Sequence, residues 1–162
     1  AEARGMSVLD ENGDKRVPIM GSYGIGVGRA MAAIIETHHD DNGVIWPVAV
    51  APFEVSVILV SLRDDAAVAA GEDLYTQLRQ RGIDVVLDDR DARAGVKFAD
   101  TELTGIPWRI TVGPKGVAAG MVELTSRATG ETVEVALADV VDQVAATIEA
   151  ARIPDGADPI YR

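Results

Sequence analysis

The stretch from Glu54 to Leu87 limits the possible folds most. Glu54-Val55-Ser56-Val57-Ile58-Leu59-Val60 has the β-branched content of a strand. Asp64 or Asp65 then offers a side-chain oxygen to cap a helix, and Val68, Gly71, Leu74, Tyr75 and Leu78 keep helical spacing behind it. Gly82 stops that helix, and Asp84 to Leu87 is a second short strand. A strand, helix and strand of these lengths form a right-handed parallel crossover, which places the chain in the α/β class.

The flanking segments extend the pattern. Downstream, Val96 to Leu103 predicts a short helix stopped by Gly105 and Pro107, and Trp108 to Val112 a strand. Val122–Thr125 and Thr132–Ala136 bracket Thr129-Gly130 as a hairpin. Val140, Val144 and Ile148 mark a closing amphipathic helix from Asp139 to Arg152. The expected order β-α-β-α-β-β-β-α gives a mixed five-stranded sheet with three helices. Upstream, Met6–Leu9 and Lys15–Met20 flank Asn12-Gly13 as a hairpin. Val27, Met31, Ile34 and Ile35 predict a helix that ends near His39. The two prolines of Ile45–Pro52 favour an extended connection. The expected division is therefore a stub at 1–45, a linker at 46–52, a sheet domain at 53–152 and a loose tail at 153–162.

Charge sets a further bound. The chain has 162 residues with 15 Lys and Arg against 26 Asp and Glu, a net charge of −11. Such a total disfavours DNA or generic nucleic-acid binding, because phosphate contacts leave a basic footprint. The distribution is uneven: Arg90, Arg93, Lys97, Arg109 and Lys115 outnumber the acids between Arg90 and Lys115. No cysteine is present, so disulfides and thiolate metal sites are excluded. His38-His39-Asp40-Asp41 is better explained as a solvated helix end than as a metal site, since adjacent helical residues point to different sides. No metal site is expected. No apolar run approaches the ~20 residues of a membrane span.

Two stretches carry chemistry. Gly21-Ser22-Tyr23-Gly24-Ile25-Gly26-Val27-Gly28-Arg29 lacks the third glycine of a dinucleotide turn and the lysine of a P-loop. It can instead be a glycine-eased entry to a helix whose first turn holds Arg29. Missing side chains there admit a purine or phosphate, and a helix N-terminus favours anions; a plain junction with a solvated arginine is equally compatible. The second stretch, Leu87 to Pro107, follows the C-terminal end of a strand, where open α/β sheets form binding crevices. Arginine can bind guanine acceptors in pairs, and carboxylates accept from base amino groups. Phe98 offers a stacking plane for an unpaired base, or packs into the core.

The first stretch resembles motif 3 of class II aminoacyl-tRNA synthetases in its bacterial prolyl form. Gly43-Val44-Ile45-Trp46-Pro47 with Ala51-Pro52-Phe53 is similar to that family's bridge between catalytic and anticodon domains. Asp88-Asp89-Arg90, Gly95-Val96-Lys97-Phe98 and Glu102-Leu103 with Gly105-Ile106-Pro107 resemble its anticodon-binding signature, with Ala94 where many members have proline.

The resemblance implies a class IIa anticodon-binding domain preceded by a catalytic-domain stub of hairpin plus helix. It implies ATP contacts at Gly24, Gly26, Gly28 and Arg29. It also implies tRNA(Pro) as partner, through Asp88, Arg90, Arg93, Lys97, Phe98, Glu102, Arg109 and Lys115. Proline anticodons end in two guanines, so Arg90, Lys97 and Glu102 are expected to read bases and Arg93, Arg109 and Lys115 to position phosphates. The implied whole enzyme is a cytoplasmic homodimeric ligase that uses ATP and Mg to join proline to tRNA. Its dimer contact and most adenylate-forming residues are expected outside this chain, so the chain alone should be inactive and need no cofactor. Two other readings stay open: a small nucleotide-binding protein built on Gly24–Arg29, and a protein-interaction module with an idle RNA loop.

Overall fold

A computed structural model describes residues 1–19 and 21–152. Met20, the expected last residue of the first hairpin, and the expected loose tail from Pro154 lie outside the described residues. Two compact units are present, Ala1–Ala32 and Ala33–Arg162.

The first unit holds the expected hairpin as two short strands, β1 (Val8–Leu9) and β2 (Lys15–Arg16), paired antiparallel. Gly13 turns between them with φ of 82°. Asp10 ties the turn, accepting from the Asn12 and Asp14 amides at 3.0 Å each. Residues 21–26 form no regular element, and helix α1 (Val27–Thr37) starts directly after them. Tyr23, Ile25 and Val27 are exposed.

The second unit is built on a five-stranded sheet: β5 (Val55–Leu59), β6 (Val85–Asp88), β7 (Trp108–Val112), β8 (Met121–Ser126) and β9 (Thr132–Ala136). The strand order is β6-β5-β7-β8-β9. β5 pairs in parallel with β6 and β7, while β7–β8 and β8–β9 are antiparallel. All five residues of β5 are buried, as a central parallel strand covered on both faces requires.

One face packs under α2 (Asp65–Gln80) and α5 (Val140–Arg152). Val55, Val57, Leu59, Ile110, Val112, Val122 and Leu124 meet Ala67, Leu74, Leu78, Val140, Val144 and Ile148 there. Asp64 caps α2, its carboxylate accepting from the Ala67 amide at 2.8 Å. Glu54 and Arg152 close the start of the domain against its end in a two-pronged pair at 2.6 Å. Helix α3 (Ala94–Thr104) lies on the other face, against β5.

Three features depart from the sequence expectation. A one-turn helix, α4 (Pro114–Ala118), sits between β7 and β8, giving four helices around the sheet among the described residues in place of the three expected. A small hairpin, β3 (His39–Asp40) and β4 (Gly43–Val44), follows α1. Residues 33–45, expected with the stub, belong to the sheet unit. Arg127 grips Asp40 through both guanidinium nitrogens at 2.6 and 2.7 Å, and Trp46 Nε1 donates to Thr104 O at 3.0 Å. Gly105 ends α3 with φ of 76°, and a Cβ there would stand 2.4 Å from Val44 O. Backbone thus meets backbone where α3 ends on the hairpin.

Candidate nucleic-acid interface

Helical spacing on α3 sorts the expected site residues into two rows. Lys97 and Thr101, one turn apart, are buried against the sheet. Phe98 and Glu102, also one turn apart, lie one step round the helix toward β7.

Lys97 is 1 % exposed. Its Nζ donates to Leu59 O at 2.8 Å and Asp88 O at 3.2 Å, tying together the C-terminal ends of β5 and β6. This corrects the base-reading role expected of Lys97: it has no surface to offer a base and acts as an internal strut.

Arg90 is exposed, but its guanidinium holds Asp88 through two bonds of 3.0 and 2.7 Å and Asp100 through a third of 2.8 Å. The Arg90 hydrogen bond holds the Asp88 carboxyl below its ordinary range against the opposing push of burial, with help from the Arg90 amide and the Lys97 charge. Asp88, Arg90 and Asp100 line a groove with Phe53 and Leu103 that Lys115 and Phe98 do not share. They shape the loop; their charges are largely spent on one another.

The second row meets Arg109. Its guanidinium carbon stands 4.5 Å over the Phe98 ring centre, a cation–π contact. Nη1 donates to Glu102 Oε1 at 3.3 Å and Nη2 to Thr125 Oγ1 at 3.4 Å. Both bonds are long for charge-assisted ones, which run about 2.7–2.9 Å. Nε is buried with no partner among the described residues. Arg109 is thus a half-committed planar donor stacked on an aromatic ring.

Two grooves flank this cluster. One, of about 280 Å³, is lined by Glu102, Arg109, Thr125, Arg127, Thr129 and Thr132 among others. The other, of about 700 Å³, is lined by Phe98, Thr111, Lys115, Met121, Glu123 and Glu134 among others. Lys115 on α4 is exposed and has no ion-pair partner among the described residues. The same holds for Arg93, whose backbone begins α3. Arg109 therefore gathers Phe98 and Glu102, with Lys115 on the lining of the groove that Phe98 shares, while Asp88, Arg90 and Lys97 are bonded among themselves and to the strand ends.

Thr111, Thr125, Glu123, Glu134 and Arg127 were not foreseen. Strand alternation places 109 and 111 on one face, but only the register between strands brings Glu123 and Glu134 into line with them.

In the first unit, a Cβ at Gly24 or Gly28 would meet nothing within 4 Å, and one at Gly26 only Arg29 Cβ at 3.6 Å. Arg29 is exposed in the first turn of α1.

The site is thus a mixed sheet carrying Phe98 and Glu102 of α3 beside Arg109 of β7 on one face. The anticodon binding domain family matches residues 54–147, and the chain belongs to that family.

Similarity to curated proteins is more specific. The chain is 51% identical over 143 residues to a proline--tRNA ligase of Rhizorhabdus wittichii, covering 88% of this chain and 33% of that protein. It is 53% identical over 135 residues to the proline--tRNA ligase of Paracoccus denitrificans, covering 83% and 30%. It is 48% identical over 149 residues to that of Syntrophus aciditrophicus, covering 92% and 26%. The chain thus spans a quarter to a third of the length of these relatives. Among solved structures, prolyl-tRNA synthetase from Cryptosporidium parvum, complexed with L-proline and AMP, has the same fold. Its TM-score is 0.77 at 22% identity, over 93% of this chain and 33% of that one.

Proposed function

We propose that the sheet unit reads the anticodon of tRNA(Pro) for a proline--tRNA ligase. The observation that carries this is the Phe98–Arg109–Glu102 cluster, which lies within the segment matched by the anticodon binding family and beside the exposed Lys115. Phe98 with Arg109 supplies a stacking plane, and the guanidinium supplies the paired donors that match guanine O6 and N7. Glu102 holds Arg109 in register and accepts from base amino groups. Lys115 and Arg93 serve the backbone. Arg90, Asp88 and Lys97 keep the loop in shape.

The whole enzyme activates proline with ATP and Mg and transfers it to tRNA in the cytoplasm, as a homodimer whose contact lies outside this chain. Gly24, Gly26, Gly28 and Arg29 contribute to its nucleotide site. The chain alone is inactive and needs no cofactor, and measurable proline-dependent pyrophosphate exchange would refute that. The nucleotide-binding and protein-interaction alternatives both lack RNA affinity at this face. Titrating a fluorescent anticodon stem-loop ending in two guanines decides among them. Wild type should prefer it to an adenine-substituted loop by about 1–3 kcal/mol per base, and Arg109→Ala should weaken that preference at one position by a similar amount. Equal affinity for both loops would refute the reading.

A further inference from the structure

The large groove beside Phe98 has a wall whose chemistry is opposite to that of Arg109. Thr111 on β7 pairs in register with Glu123 on β8, and Glu123 with Glu134 on β9. Three side chains therefore form one row on the sheet face that carries α3, and all three line the groove.

Two observations make this row a site and not a solvated surface. Thr111 is only 6 % exposed, yet its Oγ1 has no hydrogen-bond partner among the described residues. A buried hydroxyl left without a partner is costly, and here it borders the groove. Independently, Glu123 and Glu134 are like charges directly opposite each other, an unfavourable cross-strand pair unless a donor comes between them.

We propose that Glu123, with Glu134 and Thr111, is the acceptor wall that takes the Watson–Crick edge of one anticodon guanine. This rests on the anticodon reading above and adds a second determinant of specificity to it. Guanine alone among the bases presents two adjacent donors, N1–H and the N2 amino group, which match the two oxygens of one carboxylate. Adenine and cytosine each turn a ring-nitrogen acceptor to the same carboxylate, and uracil flanks its single N–H with carbonyls. The wall thus rejects bases that Arg109, which meets only acceptors, tolerates. Lys115 at the rim offsets the repulsion that two carboxylates exert on the RNA backbone.

The test uses the full chain with an anticodon stem-loop ending in two guanines and with inosine at each guanine in turn, since inosine lacks only the N2 amino group. Wild type should bind the inosine loop about tenfold more weakly at one position. Glu123→Gln should bind the all-guanine loop about tenfold more weakly, and lose less than about twofold more when inosine is introduced. Thr111→Val, which removes the unpartnered hydroxyl without removing bulk, should weaken RNA binding with no fall in melting temperature. Both glutamates are exposed, so their substitution leaves the core untouched.

Wild-type affinity in Glu123→Gln and Glu134→Gln would overturn the inference, as would equal losses on guanine and inosine loops. Loss of binding on chelating Mg, to the level of Glu123→Gln, would also overturn it in favour of a cation. Wild type that does not prefer guanine to adenine would overturn both this inference and the anticodon reading.

Discussion

Lys97 shows how far a side chain's chemistry depends on where the backbone puts it. A lysine in a basic loop invites an RNA role, yet this one links Leu59 O and Asp88 O from inside the fold. Lys97→Met keeps the apolar stem and deletes the donor, removing its bonds to the buried Leu59 O and the part-buried Asp88 O. Urea unfolding should show a loss of about 1–3 kcal/mol. Unchanged stability would mean that water replaces the amine. The carboxylates make a second prediction. Arg90 holds Asp88 below its ordinary 3.8. Burial pushes Glu54 up from 4.5, but the pair with Arg152 and the Asp84 amide outweigh it and leave it lowered. Asp40 lies well below its usual range, chiefly through the Arg127 hydrogen bond. Groups depressed in the folded state bind fewer protons there than in the unfolded chain. Their contribution is complete above the unfolded values and disappears as pH falls through the folded ones. The urea midpoint should hold between pH 7 and pH 5 and drop below about pH 4, and Glu54→Gln should flatten part of that fall.

Secondary elements differed in how readable they were. The β5–α2–β6 crossover could be read because a β-branched run, a capped apolar stripe and Gly82 agree with one another. Helix α4 could not, since five residues behind Pro114 are too short for a helical stripe. The β3–β4 hairpin was masked by its own signal: Asn42-Gly43 marks the end of α1 and also turns a two-residue ladder. The junction of that hairpin with α3 should be sensitive. Gly105→Ala imposes φ of 76° on a residue with a Cβ and drives it into Val44 O. A loss greater than about 1 kcal/mol is expected by chemical unfolding. Stability equal to wild type would show that the hairpin can move aside.

Across the whole sequence, acidic residues outnumber basic ones by 26 to 15. The net charge of −11 disfavours a broad phosphate grip, and of the basic residues expected to meet RNA, Arg93 and Lys115 stand exposed without an ion-pair partner among the described residues. A plot of log affinity against log salt should therefore be shallow, with a slope of about −1 to −2, as two phosphate contacts on single-stranded RNA require. A slope several times steeper would point to a basic surface elsewhere. The class of fold was visible in the sequence through hydrophobic period, and residue type marked the stretch that carries the candidate site. The division of labour within the site was not, because it depends on which row of α3 faces the sheet and on the register of β7, β8 and β9.

The most direct check is to titrate the guanine-ending anticodon stem-loop into isotopically labelled chain and follow the backbone amides by NMR. Shifts should gather at Phe98, Glu102, Arg109, Thr111, Lys115 and Glu123, with α2 and α5 silent. Shifts confined to α2 and α5, or to the glycine-rich segment before α1, would contradict the account.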